Sequence, residues 1–311
     1  MAAIEPEQIL RELHELWERL DHDAAGGGGV LRACAMTLAV AAQNQEDAAQ
    51  ARRTIGAIMH DHPCRALVLN TAREGVGARV FSECWIPFGG QEQICSEGVE
   101  IEASADHFAE VARLWVSLRA PDLPMVVWCR GADAFSLRAY DTLFPFADKL
   151  ILDSSTAASA PGALAFLRSL RARGRRVADL EWTRLTGWRE NLAHLFEDRK
   201  LDAGQVTSAR VVHGGTAPSA GALYFASWID HALPRAHVRL EPGGGDAGLR
   251  EVALSADGHE LSLALDNAGC LKARVGGKEY RTSLPNRDEV ALMREELNIL
   301  GADAAYEVAL G

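Results

Sequence analysis

The sequence predicts an α/β protein in which a mostly parallel sheet with flanking helices is followed by a smaller α+β domain with an antiparallel sheet. Two observations lead to this prediction. Before residue 200, apolar runs such as 65–70 and 125–129 alternate with segments of helical periodicity, as expected for parallel strands covered on both faces. Beyond residue 236, short alternating segments are separated by turns rich in glycine, which is typical of antiparallel hairpins.

Changes in these patterns indicate the domain boundaries. A helix over residues 5–21 shows one apolar face, and the glycine run at 26–29 reads as a linker, so we predict an N-terminal appendage over residues 1–29. The α/β domain then covers 30–200. The α+β domain covers 201–311.

The spacing of hydrophobic residues predicts the helices and strands of both domains. For the first domain we predict strands over 35–41, 65–70, 78–87, 93–103, 125–129, 149–153 and 177–182, and helices over 46–60, 106–118, 135–143, 161–173 and 183–196. For the second we predict a strand over 208–213, a helix over 219–233, strands over 237–241, 249–255, 260–265, 271–275 and 279–283, a helix over 287–300 and a short tail. No helix separates 78–87 from 93–103, so these strands are expected to form a hairpin that could bring Cys84 and Cys95 together.

Composition excludes several classes of function. The formal net charge is -11 and no block of Lys and Arg is present, which argues against a nucleic-acid surface. No apolar run approaches the roughly 18 residues that a membrane span needs, and the acidic start is unlike a signal peptide. We therefore predict a cytoplasmic protein without a membrane partner.

Motifs for cofactors and catalysis are also missing from the sequence. It contains neither of the common phosphate fingerprints, Gly-x-Gly-x-x-Gly and Gly-x-x-x-x-Gly-Lys-Ser/Thr, and no Gly-x-Ser-x-Gly nucleophile motif. The six cysteines form no Cys-x-x-Cys pair, and the histidines show no metal-ligand spacing. We predict no cofactor, no metal and no catalytic residue, which favours a binding or regulatory protein over an enzyme.

The segment 177–198 is the one around which the chain is organised. Its first six residues alternate as in a strand, and helical spacing begins at Thr183, a candidate N-cap. Trp and Arg dominate binding hot spots, so this junction is a candidate partner-binding site. The alternative is structural, with arginine–carboxylate pairs that pin the helix to the sheet and tryptophans in the core. The candidate residues for either role are Asp179, Glu181, Trp182, Arg184, Trp188 and Arg189.

A second candidate site lies at the predicted carboxyl ends of neighbouring strands. Open α/β sheets bind ligands at this edge. Arg130, Asp153 and Ser154 would line a polar crevice there, together with Asp179 and Arg184. Such a crevice suits a sugar phosphate, so the alternative function is a sensor or an enzyme that binds one.

Several blocks of the sequence resemble the OpcA family of glucose-6-phosphate dehydrogenase assembly proteins. The most specific block is Asp179-Leu-Glu-Trp-Thr-Arg-Leu-Thr-Gly-Trp-Arg189. The others are 32–39, 62–68, 93–98, 122–128, 147–154, 192–196, 295–303 and Tyr306-Glu307. These blocks run in order, so the resemblance covers nearly the whole chain beyond residue 32.

The resemblance implies a non-enzymatic assembly factor and allosteric activator. Its partner would be glucose-6-phosphate dehydrogenase, whose active oligomer it would promote, and it would thereby support NADPH production in the oxidative pentose phosphate pathway. On this hypothesis, Trp182, Arg184, Trp188 and Arg189 form or support the contact with the dehydrogenase.

Overall fold

The computed structural model describes residues 5–24, 30–71, 76–86, 93–199, 203–256, 259–266, 268–285, 287–299 and 301–311. The predicted glycine linker at 26–29 lies outside these ranges. The chain divides into two compact units. Unit 1 comprises Met1–Asp153, Leu170–Ala178 and Glu289–Leu300, and unit 2 comprises Ser154–Ser169, Asp179–Asp288 and Gly301–Gly311. The boundaries predicted at residues 30 and 201 stay a prediction.

Helices and strands alternate in the first half of the chain, and strands dominate the second. The α-helices are α1 (Pro6–Ala24), α2 (Gln45–Ile58), α3 (Phe108–Leu118), α4 (Asp133–Ser136), α5 (Ala160–Ala172), α6 (Leu180–Arg184), α7 (Thr186–Arg199), α8 (Ala220–Ala232), α9 (Glu289–Leu297) and α10 (Ala304–Leu310). The strands are β1 (Val30–Arg32), β2 (Met36–Ala42), β3 (Cys64–Asn70), β4 (Val76–Trp85), β5 (Gln93–Ala103), β6 (Met125–Cys129), β7 (Lys149–Leu152), β8 (Val177–Asp179), β9 (Val206–Gly214), β10 (His237–Pro242), β11 (Gly248–Ala256), β12 (His259–Leu265), β13 (Cys270–Val275) and β14 (Lys278–Ser283).

The predicted α/β class is confirmed by the sheet of the first unit. Its strand order is β1-β5-β3-β2-β6-β7-β8, with β4 antiparallel to β5 and the other registered pairs parallel. Every residue of β2, β3 and β6 is buried, because helices flank a parallel sheet on both faces. From β5 to β8 this order is that of dinucleotide-binding folds, with a topological switch point between β2 and β6.

The predicted hairpin of β4 and β5 is confirmed, and its register places Cys84 opposite Cys95. The two cysteines form a disulfide with a Cα–Cα separation of 4.1 Å. One predicted helix of this unit, residues 135–143, is wrong. The chain instead forms the single turn α4 and then a 3-10 turn over Arg138–Thr142, because Leu137 between them adopts an extended backbone.

Unit 2 contains the second sheet, with strand order β10-β9-β11-β12-β13-β14. The predicted antiparallel pairing is confirmed from β11 to β14. Strand β9, whose partner was not predicted, also pairs antiparallel with β11. Strand β10 differs, because it lies parallel to β9 at the sheet edge. The reason is the connection: α8, capped by the side chain of Ser219, links β9 to β10 as a crossover, and a crossover joins parallel strands.

Among the described residues, no helix combines the length and apolar character needed to cross a membrane.

Candidate functional site

The strand-to-helix junction at Asp179 differs in detail from the sequence prediction. Strand β8 ends at Asp179, and the helix α6 begins at Leu180. The Asp179 carboxylate accepts a hydrogen bond from the backbone N–H of Glu181, so Asp179 is the N-cap and the predicted cap at Thr183 is wrong. The predicted strand over 177–182 is also wrong beyond Asp179, because Glu181 lies in the first helical turn.

Asp179 is the centre of a buried polar network. Its side chain is 1% exposed and accepts hydrogen bonds from the backbone N–H of Ser154 at 2.9 Å and from the hydroxyl of Tyr224 at 2.7 Å. Burial raises the pKa of Tyr224 well above its usual value, and the adjacent Asp179 charge raises it further. Tyr224 therefore remains a neutral donor to Asp179, and the network ties α8 to the start of α6.

Trp182 forms the aromatic part of the same cluster. Its ring lies 5.9 Å from that of Tyr224 and 6.1 Å from that of Tyr306, and the guanidinium of Arg189 lies 3.6 Å above it. The indole N–H donates to the carboxylate of Asp303 at 3.0 Å. Since Asp303 caps α10, Trp182 connects α6, α7, α8 and α10.

Only part of the segment 179–189, here called the Trp/Arg block, reaches the surface of unit 2. Trp182 and Trp188 are 2% and 4% exposed, and Trp188 packs edge-on against Phe225. Glu181 and Arg184 form an ion pair at 3.0 Å with side chains that are 14% and 34% exposed. This burial favours the supporting role for the two tryptophans. The assignment of the block to partner binding stays a prediction.

The second predicted site is distributed over both units. Ser154 belongs to unit 2, where its backbone meets Asp179 and its hydroxyl is buried without a hydrogen-bond partner among the described residues. Asp153 belongs to unit 1 and is half-buried. Arg130 also belongs to unit 1, and its two ion-pair partners, Asp47 and Glu289, lie within that unit. The predicted crevice stays a prediction.

Arg130 lies at the topological switch point of the unit 1 sheet, directly after β6. Its guanidinium bonds the carboxylates of Asp47 and Glu289, each at 2.6 Å, and stacks 4.5 Å from the ring of Trp128. The carboxylate of Glu289 also accepts from Thr54. The guanidinium at the switch point is therefore already paired with two carboxylates of unit 1.

The loop after β2 also contacts Asp47, one of the two carboxylates that bind Arg130. In dinucleotide-binding folds, glycines at this point allow a pyrophosphate to approach the N-terminus of the following helix. Here the loop contains Gln43 and Asn44, and Asp47 of α2 accepts a hydrogen bond from the backbone N–H of Gln43 at 2.9 Å. The Gln43 side chain packs so closely against Gly131 that a Cβ atom at position 131 would clash with Gln43 Cδ. The backbone N–H of this loop is thus bonded to an internal carboxylate.

Replacing Arg130 with alanine is expected to lower the free energy of unfolding of unit 1 by about 2 kcal/mol, because two largely buried carboxylates lose their shared cation. Arg130→Lys keeps the charge but lacks the fork that reaches both partners, so it should lose about half as much. Urea denaturation followed by circular dichroism measures both. A loss below roughly 0.5 kcal/mol for Arg130→Ala would contradict this role.

The fold and the two clusters define a class: a two-unit α/β protein in which Arg130 of unit 1 pairs with internal carboxylates and the buried network of Asp179 and Trp182 braces unit 2. Comparison with known families is consistent with this class. Residues 56–170 match the glucose-6-phosphate dehydrogenase subunit N-terminal domain, and residues 175–310 match the corresponding C-terminal domain. The chain belongs to the OpcA family, as its sequence blocks predicted.

Two cyanobacterial relatives carry the name "Putative OxPP cycle protein OpcA". The protein of Synechocystis sp. is 24% identical over 301 residues, which cover 81% of this chain and 63% of that protein. The protein of Synechococcus elongatus is 24% identical over 96% of this chain and 74% of its own length. The chain thus spans less than two thirds of the first relative. Among solved structures, biliverdin reductase of Synechocystis sp. is similar with a TM-score of 0.46 and 10% identity, over 90% of this chain and 95% of that one.

Proposed function

We propose that this chain is a non-catalytic subunit that binds glucose-6-phosphate dehydrogenase and promotes its active oligomer. The observation that supports this most directly is the match to the two domains described as parts of a glucose-6-phosphate dehydrogenase subunit. The ion pairs of Arg130 support the non-catalytic part of the proposal, because Asp47 and Glu289 already use the guanidinium that a bound phosphate would need.

The physical basis of activation is a difference in affinity. A subunit that binds the active oligomer more tightly than the inactive enzyme shifts the population by the ratio of the two affinities, and equal affinities produce no shift. A tenfold preference corresponds to about 1.4 kcal/mol, which a single hot-spot residue can supply. Activation would support NADPH production in the oxidative pentose phosphate pathway.

Binding is tested by size-exclusion chromatography of the dehydrogenase of the same organism, with and without this chain. We expect the two proteins to elute together, at a mass above that of the dehydrogenase alone. Separate elution at micromolar concentrations, with the mass of the dehydrogenase unchanged, would contradict the proposal.

The alternative function, a sugar-phosphate sensor or enzyme, makes a different prediction. Calorimetric titration with glucose 6-phosphate, 6-phosphogluconate and NADP, in the absence of the dehydrogenase, should give no heat of binding if the proposal is correct. Micromolar binding of any of the three would favour the alternative, and Arg130→Ala would then show whether Arg130 belongs to the site.

A further inference from the structure

An apolar groove lies between α7 and α8 within unit 2. Its floor is formed by Leu192 and Ile229, which are 3% and 1% exposed, and its walls by the half-buried rings of Phe196 and Trp228. The volume of the groove is about 360 Å³. This lies at the small end of the roughly 300–1,000 Å³ typical of ligand pockets, so it suits one or two large apolar side chains.

Trp228 is held in position as a binding anchor. Its ring packs edge-on against Phe225 at 5.2 Å, and Phe225 is fully buried and also contacts Trp188. Within the described chain, the indole N–H of Trp228 has no hydrogen-bond acceptor, so it can donate to an incoming group. A tryptophan fixed by packing and only half covered is the type of residue that dominates protein interfaces.

Charge around the groove indicates what it accepts. Glu197 lines the groove and is exposed, and Glu190 lies two helical turns earlier on the same side of α7, in line with Ala193. Arg235 follows the end of α8 and donates a hydrogen bond to the carbonyl oxygen of Gly204 at 3.1 Å. Among the described side chains, the α7 rim therefore carries two carboxylates, which complement a segment that has Lys or Arg beside its apolar residue.

We propose that the groove between α7 and α8 is the docking surface for glucose-6-phosphate dehydrogenase, and that its occupant is a segment of that enzyme with a large apolar side chain next to a basic one. This inference rests on the proposed function. It also gives the 177–198 segment two physically separate tasks. The first half braces the interior of unit 2, and the second half supplies one wall of the groove.

The test places a charge in the groove without disturbing the core. Ala232 lines the groove and is exposed, so Ala232→Glu adds a carboxylate where the apolar side chain would dock. His231→Glu is the matched control, because His231 is exposed on the same helix and lies outside the groove lining. Both variants should melt within a few degrees of the wild type, since surface changes rarely exceed about 0.5 kcal/mol.

Calorimetry with the dehydrogenase should show that Ala232→Glu raises the Kd at least tenfold while His231→Glu leaves it within about threefold. A second pair, Ala193→Glu on α7 with exposed His194→Glu as its control, should behave in the same way. If Ala232→Glu and Ala193→Glu both bind the dehydrogenase with the wild-type Kd, the groove proposal is overturned. The proposed function would remain intact.

Two other outcomes would also overturn it. Failure of the wild type to bind the dehydrogenase would contradict the proposed function, and with it the assigned occupant. A wild type that self-associates and becomes monomeric on Ala232→Glu, with unchanged affinity for the dehydrogenase, would make the groove a contact between copies of this chain.

Discussion

Replacing Asp179 with alanine is expected to lower the free energy of unfolding of unit 2 by about 4 kcal/mol. The carboxylate accepts from the backbone N–H groups of Ser154 and Glu181 and from the hydroxyl of Tyr224, and it is almost fully buried. Each donor left without an acceptor in the interior costs about 1–3 kcal/mol, and the N-cap of α6 is lost as well. Urea denaturation followed by far-UV circular dichroism measures the change.

Tyr224→Phe is the matched control for Asp179→Ala. It removes one donor and leaves Asp179 bonded to the two backbone N–H groups, so its expected cost is only about 1 kcal/mol. Equal effects of the two substitutions would show that the tyrosine hydroxyl, and not the backbone contacts, accounts for the stabilisation. A loss below about 1 kcal/mol for Asp179→Ala would refute the central position of this carboxylate.

Trp182→Ala is expected to cost a similar amount, about 3–5 kcal/mol, because it removes a large ring from a packed interior. It also leaves Arg189 without its stacking partner and Asp303 without the indole N–H. Trp182→Phe keeps an aromatic ring in the cluster and should lose only about 1–2 kcal/mol, chiefly the hydrogen bond and part of the contact area. Thermal unfolding of the three proteins provides the comparison.

The same variants separate the two roles considered for the Trp/Arg block. Under the supporting role, Trp182→Phe remains folded and binds glucose-6-phosphate dehydrogenase with nearly the wild-type Kd. A folded Trp182→Phe protein that no longer binds would instead make Trp182 a contact residue. Its 2% exposure is the reason that we expect the first result.

Much of the fold of both units could be predicted from hydrophobic periodicity alone. The strands β2, β3 and β6 are continuous apolar runs, and this pattern leaves few alternatives for a buried parallel strand. The direction of strand β10 was harder to predict, because its residues alternate like those of the antiparallel strands that follow it. Its direction is set by the preceding helix, and periodicity within a strand carries no information about direction.

The junction at Asp179 shows why short segments remain ambiguous. Over six residues, a three-residue strand followed by the first turn of a helix gives the same alternation as one longer strand. Both Asp179 and Thr183 are good N-caps, and the network around Ser154 and Tyr224 selects Asp179. Since those partners are 25 and 45 residues away in sequence, only tertiary structure decides between the two caps.

The groove was not predicted from the sequence. Trp228 falls within a predicted helix, where a single tryptophan is more often part of the core. Recognising a groove also requires the position of Phe196 on α7, which the sequence of α8 does not give. The sequence could therefore indicate residues that brace unit 2, but not the surface that we assign to the partner.

We propose that this chain activates glucose-6-phosphate dehydrogenase as a subunit. The most direct test measures the specific activity of the dehydrogenase of the same organism, at fixed concentration and saturating substrate, as this chain is added. We predict a rise to a plateau at a fixed molar ratio, together with an increase in the mass of the complex by sedimentation. Unchanged activity and mass at a tenfold molar excess would contradict the claim.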